Sequence, residues 1–111
     1  MTRYLTKMLL TSQMYSAVIE NPSDRSKALE ASYKAAGGKL LGVWFSSDEN
    51  TLYHMSEWKV DDPATTLALG MAALGAGSIS SWQTTRLLTA KEAIVAMKKA
   101  KTVGYRPPSK K

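Results

Sequence analysis

The sequence predicts an α+β domain of the ferredoxin-like type: a split βαβ unit with a four-stranded antiparallel sheet and helices on one face. Three observations lead there. Four short β-branched and aromatic runs alternate with helical segments in the order β-α-β-β-α-β, and one more helix follows. Cap-and-proline or capping-box signals open the helices, and glycines close two of them. The 111 residues, 44% hydrophobic and 22% charged, suit one globular domain and not a disordered chain.

Arg3 to Leu10 is short, partly alternating and β-compatible, and reads as the first strand. Ser12 is placed to cap a helix over Gln13–Glu20. Asn21-Pro22 ends that helix, because proline disfavours helical backbone in the residue before it. The same pair opens a second helical segment, with Asn21 as cap, Pro22 at its first position and Asp24 near its positive end. Ala28, Leu29, Ala31, Ser32 and Ala36 offer a small-residue face, and Gly37-Gly38 supplies the stop.

Lys39 to Ser46 reads as the second strand, Ser47 to Asn50 as a turn, and Thr51 to Val60 as the third strand. Asp61-Asp62-Pro63 repeats the cap-then-proline signal and opens a helix to Leu74, stopped by Gly75 and Gly77. Ser78 to Leu88 is the fourth strand. Thr89 and Glu92 form a capping box for a last helix to Lys101, with Ala90, Ile94 and Met97 on one stripe. Residues 1–101 thus make a single domain, and 102–111 a basic, proline-containing tail.

Strict alternation assigns the strand faces. It sets Leu40 and Trp44 against Leu41, Val43 and Phe45. It sets Leu52, His54, Ser56 and Trp58 against Tyr53, Met55, Glu57 and Lys59, and Trp82 and Arg86 against Ile79 and Leu87. Large aromatics fall on both faces, so the face without helices is expected to meet another protomer or to line a pocket. From Pro63 to Thr85 there are 23 consecutive residues without a charge. A homo-oligomer accounts for both features.

The formal charge of +6 points at first to acidic partners. Residues 1–90 hold eight bases and eight acids, whereas residues 91–111 hold seven bases and only Glu92. A neutral body with a basic end lacks the positive folded face that nucleic-acid binding requires. No cysteine is present, which excludes disulfides and thiol catalysis. The apolar stretch from Leu67 to Gly77 is about half a membrane span, and no signal-peptide layout opens the chain. A cytoplasmic protein without a membrane partner is expected.

Leu10-Thr11-Ser12, Asn21-Pro22-Ser23-Asp24-Arg25 and Ala35-Ala36-Gly37-Gly38-Lys39-Leu40 resemble the small bacterial GYD-domain family. Leu87 to Ala93 and Tyr105-Arg106-Pro107-Pro108 resemble the ends of one branch of it. Asn50-Thr51-Leu52-Tyr53-His54 replaces the tripeptide that names the family. The resemblance implies a dimeric α+β barrel relationship. Family members are largely uncharacterised, so it implies a fold and no activity.

His54 is the one histidine, mid-strand and near the expected sheet centre. An imidazole there can act as a general base or ligate haem iron, or serve as a hydrogen-bonded interface residue. Trp44, Trp58 and Trp82, with Tyr4 and Tyr53, can wall a pocket for a flat apolar ligand or pack an oligomer interface. Glu57 is placed for a cross-strand ion pair with Arg3 or Lys7. Asp61-Asp62 is explained by helix capping, and one histidine per chain excludes a multi-histidine site within a chain. That leaves only a symmetric one across an oligomer axis, which no other residue supports, so no metal is assigned. Gly37-Gly38 follows a helix and forms no phosphate loop.

The expected function is that of a homo-oligomer binding a small hydrophobic ligand in a cleft at the sheet face or subunit interface, its cofactor unassigned. A cofactor-independent or haem-dependent oxygenase or isomerase using His54, and a structural self-assembly module, are the alternatives.

Overall fold

Local cap chemistry sets the element boundaries in the computed structural model, which describes residues 1–109; Lys110 and Lys111 of the expected tail lie outside them. The elements are β1 (Thr2–Leu10), α1 (Ser12–Glu20), α2 (Arg25–Ala35), β2 (Gly38–Phe45), β3 (Thr51–Trp58), α3 (Pro63–Gly75), β4 (Ile79–Leu87) and α4 (Ala90–Val103). Asp62 caps α3 by accepting from the Ala64 amide at 3.1 Å, with Pro63 next. Thr89 and Glu92 exchange the two bonds of a capping box at 3.1 and 3.0 Å.

Two expected starts move. Thr11, not Ser12, caps α1, its hydroxyl accepting from the Met14 amide at 3.2 Å. The second helix does not open at Asn21-Pro22. The Asn21 amide still bonds back to Ala17 in α1, and the Asp24 carboxylate caps α2 by accepting from the Ser26 amide at 2.9 Å. The charged cap sits beside the first free amides of the helix and wins over the weaker, earlier pair.

The strands form one antiparallel sheet in the order β2-β3-β1-β4, the ferredoxin-like arrangement. Residues paired directly across neighbouring strands share a face, which places Thr6, His54 and Thr84 in one row. α2 and α3 cover this face. Met8, Leu10, Leu52 and Ile79 form one buried cluster, with Met14, Leu29 and Ala73 packed on it. Tyr4, Tyr33 and Trp58 form a second, with Ala36 and Leu69.

Two bulges revise the alternation. In β2, Leu40 pairs with Ser56 but Gly42 pairs with Met55, so Leu41 is an extra residue. Leu40 and Val43 therefore share the helix-covered face with Ser56 and His54, and Trp44 is turned to the opposite face beside Tyr53. Leu40 and Trp44 do not share a face as strict alternation required. In β4, Leu9 pairs with Ser81 but Leu10 pairs with Ile79, leaving Ser80 extra. Ile79 thereby joins Trp82 on the covered face instead of opposing it. One inserted residue reverses every assignment beyond it.

The opposite sheet face carries Leu9 and Trp44, 40% and 54% exposed. The expected ion pair lies there, Arg3 Nε to Glu57 Oε2 at 2.8 Å, and Lys7 pairs with Glu49 at 3.5 Å. α4 buries none of its residues and leaves Ile94, Val95 and Met97 exposed. The Cα radius of gyration is 17.9 Å, against about 13 Å for a compact chain of this length.

Candidate functional site

A cavity of about 290 Å³ lies between the covered sheet face and helices α1 to α3. Its walls are mainly apolar, with Met8 and Leu10 from β1, Leu52 from β3, Ile79 and Trp82 from β4, and Met14, Leu29, Leu69 and Ala73 from the helices. Four polar side chains interrupt this lining: Arg25, Ser32 and Tyr33 of α2 and His54 of β3; Ser78 stands just before β4. The apolar wall follows from sheet geometry, because β1 and β3 are interior strands whose inward residues are cut off from water on both sides.

His54 is fully buried and Tyr33 nearly so. The Tyr33 hydroxyl lies 3.1 Å from His54 Nε2, and the two rings meet edge to face with centroids 5.1 Å apart. Burial pushes the Tyr33 phenol well above its ordinary value and pulls His54 down to about 4. At neutral pH both groups are therefore uncharged. The phenol is the natural donor and Nε2 the acceptor, which places the imidazole proton on Nδ1. The opposite tautomer would leave the Tyr33 hydrogen without a partner, since its hydroxyl makes no other hydrogen bond among the described residues.

Nδ1 of His54 and Nε of Arg25 are both buried without a hydrogen-bond partner. Arg25 opens α2, and no carboxylate lies within 4 Å of it among the described residues. The neighbouring Asp24 is occupied as a cap, accepting from the amide and hydroxyl of Ser26.

Trp82 completes the wall, its ring 5.9 Å from His54. Gly70 in α3 makes this possible: a Cβ there would stand 2.7 Å from the indole. A glycine in mid-helix is costly by propensity, and here it admits the indole against the helix backbone.

The sequence-expected residues separate into three places. His54 and Trp82 line the cavity. Tyr4 and Trp58 belong to the adjoining buried cluster, where the Tyr4 hydroxyl donates to Asp61 and Trp58 Nε1 donates to Ser56 Oγ at 3.0 Å. Trp44 and Tyr53 stand on the opposite face, Tyr53 with Lys7 Nζ 5.9 Å from its ring centre. Sequence reasoning missed Tyr33 and Arg25. The fourfold spacing of Leu29 and Tyr33 marks a common helix face and was the available signal for the first. Nothing in the sequence distinguishes Arg25 from other surface arginines.

No family model matches the chain, and no curated protein does. Among solved structures, the chain is similar to an uncharacterized NIPSNAP domain protein from Burkholderia xenovorans, with 12% identity over 81% of this chain and 95% of that one, at a TM-score of 0.44. It is also similar to a protein of Agrobacterium tumefaciens, with 16% identity over 82% and 95% and a TM-score of 0.45. No helix among the described residues is long and apolar enough to cross a membrane.

Proposed function

We propose that this chain is a homo-oligomeric, cytoplasmic protein that binds a small hydrophobic ligand in the sheet–helix cavity. The observation that carries this reading is the cavity itself: about 290 Å³, walled by apolar side chains, with a few convergent polar groups including a buried His54. That combination is the usual composition of a small-molecule site. On the residues quoted above, the chain is assigned to the GYD-domain family, with two copies related as in a dimeric α+β barrel.

Self-association is supported by surface. The chain exposes 8227 Å², whereas a compact monomer of 12.1 kDa exposes about 6,000 Å². The excess, on the order of 2,000 Å² per chain, corresponds to about 4,000 Å² over two chains, the range of large obligate interfaces rather than of standard ones. Leu9 and Trp44 on the open sheet face, Leu67 and Met71 on the uncharged α3, and Ile94 and Met97 on α4 supply apolar contacts for it.

The catalytic alternative, an oxygenase or isomerase with His54 as base, is less well supported. An imidazole whose proton affinity has fallen to about 4 is uncharged at pH 7 but a weak base there. Its chemistry suits hydrogen bonding to a ligand better than proton abstraction.

Titration with 1-octanol, read by tryptophan fluorescence in a Trp44→Phe chain, tests the ligand reading. Saturable quenching is expected, and Ala73→Phe, which fills the cavity, abolishes it while circular dichroism stays native. Unchanged quenching in a folded Ala73→Phe chain overturns the assignment. Light scattering giving a 12.1 kDa species overturns the oligomer.

A further inference from the structure

The ligand's chemistry can be narrowed from what the cavity leaves unmatched. Its lining includes one guanidinium and no carboxylate. The Arg25 Nε is buried with no partner, and no acid lies within ion-pairing distance of the guanidinium among the described residues. A buried, unpaired donor of a charged group is costly, and the cost falls when an anion completes it. Asp24, the nearest acid in sequence, takes both Ser26 bonds on Oδ1 and makes no ion pair with Arg25.

Two further features have the same sign. Arg25 is the first residue of an 11-residue helix, so the positive end of α2 adds to the guanidinium charge at this end of the cavity. His54, fully buried and on the same lining, has a second ring nitrogen with no partner. In the tautomer that its contact with Tyr33 favours, that nitrogen is a donor. Among the described residues, the two buried side-chain atoms left without a partner are thus both donors, against walls of leucine, methionine, isoleucine and tryptophan.

Resting on the ligand-binding reading above, we propose that the cavity takes a small apolar monocarboxylic acid in its ionised form. Arg25 holds the carboxylate, and the aliphatic or aromatic body occupies the Leu52, Ile79 and Trp82 wall. A planar carboxylate matches the guanidinium fork with two parallel hydrogen bonds, which a neutral hydroxyl cannot do. His54 Nδ1, the other unpartnered buried nitrogen of the lining, adds to the donor surplus that a carboxylate answers.

The test compares octanoate with 1-octanol, which share an eight-carbon body and differ in the headgroup. Binding is read by calorimetry on the full chain at pH 7.5, with its tryptophan fluorescence as a second readout. Octanoate is expected to bind at least tenfold more tightly than 1-octanol. Arg25→Gln should remove that preference by lowering the octanoate affinity toward that of 1-octanol, and Arg25→Lys, which keeps the charge but not the fork, should fall between. Equal affinity for the two compounds in the unmodified chain overturns the anion proposal and leaves the ligand-binding reading intact. Binding of neither at millimolar concentration overturns both. Should Arg25→Gln fail to fold, the ratio of the two affinities in the unmodified chain decides by itself.

Discussion

Acidification is the perturbation to which the buried His54 should respond most clearly. In the unfolded chain its imidazole takes up a proton near 6.5, whereas in the folded chain burial delays this until about 4. Between these values the unfolded state binds the extra proton and the folded state does not, so stability falls as pH falls through that window. Above 6.5 the contribution is fully present, and below 4 it is gone. Each tenfold change in proton affinity is worth about 1.4 kcal/mol, so the full loss is about 3 kcal/mol, of which about 2 kcal/mol is lost by pH 4.5. Urea unfolding followed by circular dichroism at pH 7, 5.5 and 4.5 measures it, with His54→Gln as the reference. Asp24, Asp62 and Glu92 hold their carboxyls below the ordinary range through cap hydrogen bonds and also lose stabilising charge in acid. They do so equally in both chains, so the difference between the two profiles isolates the histidine. The unmodified chain should lose stability between pH 7 and 4.5 by about 2 kcal/mol more than the variant does. Parallel profiles would refute the claim that His54 is buried and neutral.

Two more outcomes follow from packing. Leu52→Ala removes a side chain only 1% exposed at the floor of the cavity and should cost about 2–5 kcal/mol in chemical denaturation; a loss under 1 kcal/mol would mean that this floor is not packed. Gly70→Ala gains about 1 kcal/mol of helix propensity but sets a methyl 2.7 Å from the Trp82 ring, where overpacking costs about 1–3 kcal/mol. The melting temperature should therefore fall and the near-ultraviolet dichroism change, whereas a net stabilisation would show that the indole does not rest on α3.

Much of the fold was legible because its signals are local. Asp62-Pro63 and Thr89-x-x-Glu92 act within four residues, through hydrogen bonds that any helix start needs, and they held in place. The Asn21-Pro22 start failed because two capping residues three positions apart compete, and only the folded backbone decides between them. The cross-strand partner of Glu57 was reachable from charge pattern and strand order, and Arg3 takes it. His54 stood out as the lone histidine on an interior strand. Its partner did not, because Tyr33 lies 21 residues away on a helix whose rotation over the sheet no local pattern specifies.

By itself, then, the sequence determined the order of elements, the ferredoxin-like sheet, the caps of α3 and α4 and the neutral body with its basic end. These depend on short-range hydrogen bonding, backbone preference and composition, all of which act before the chain closes on itself. Tertiary structure alone decided which aromatics share a face. Leu41 and Ser80 are single extra residues in β2 and β4, and each reverses the alternation beyond it. That reversal moves Trp44 to the open face and brings Ile79 to the same side as Trp82. Tertiary structure also brought Arg25 and the Tyr33–His54 pair to the lining of one cavity. Where a buried donor finds no acceptor is a property of the packed chain, because an unfolded arginine or histidine always has water.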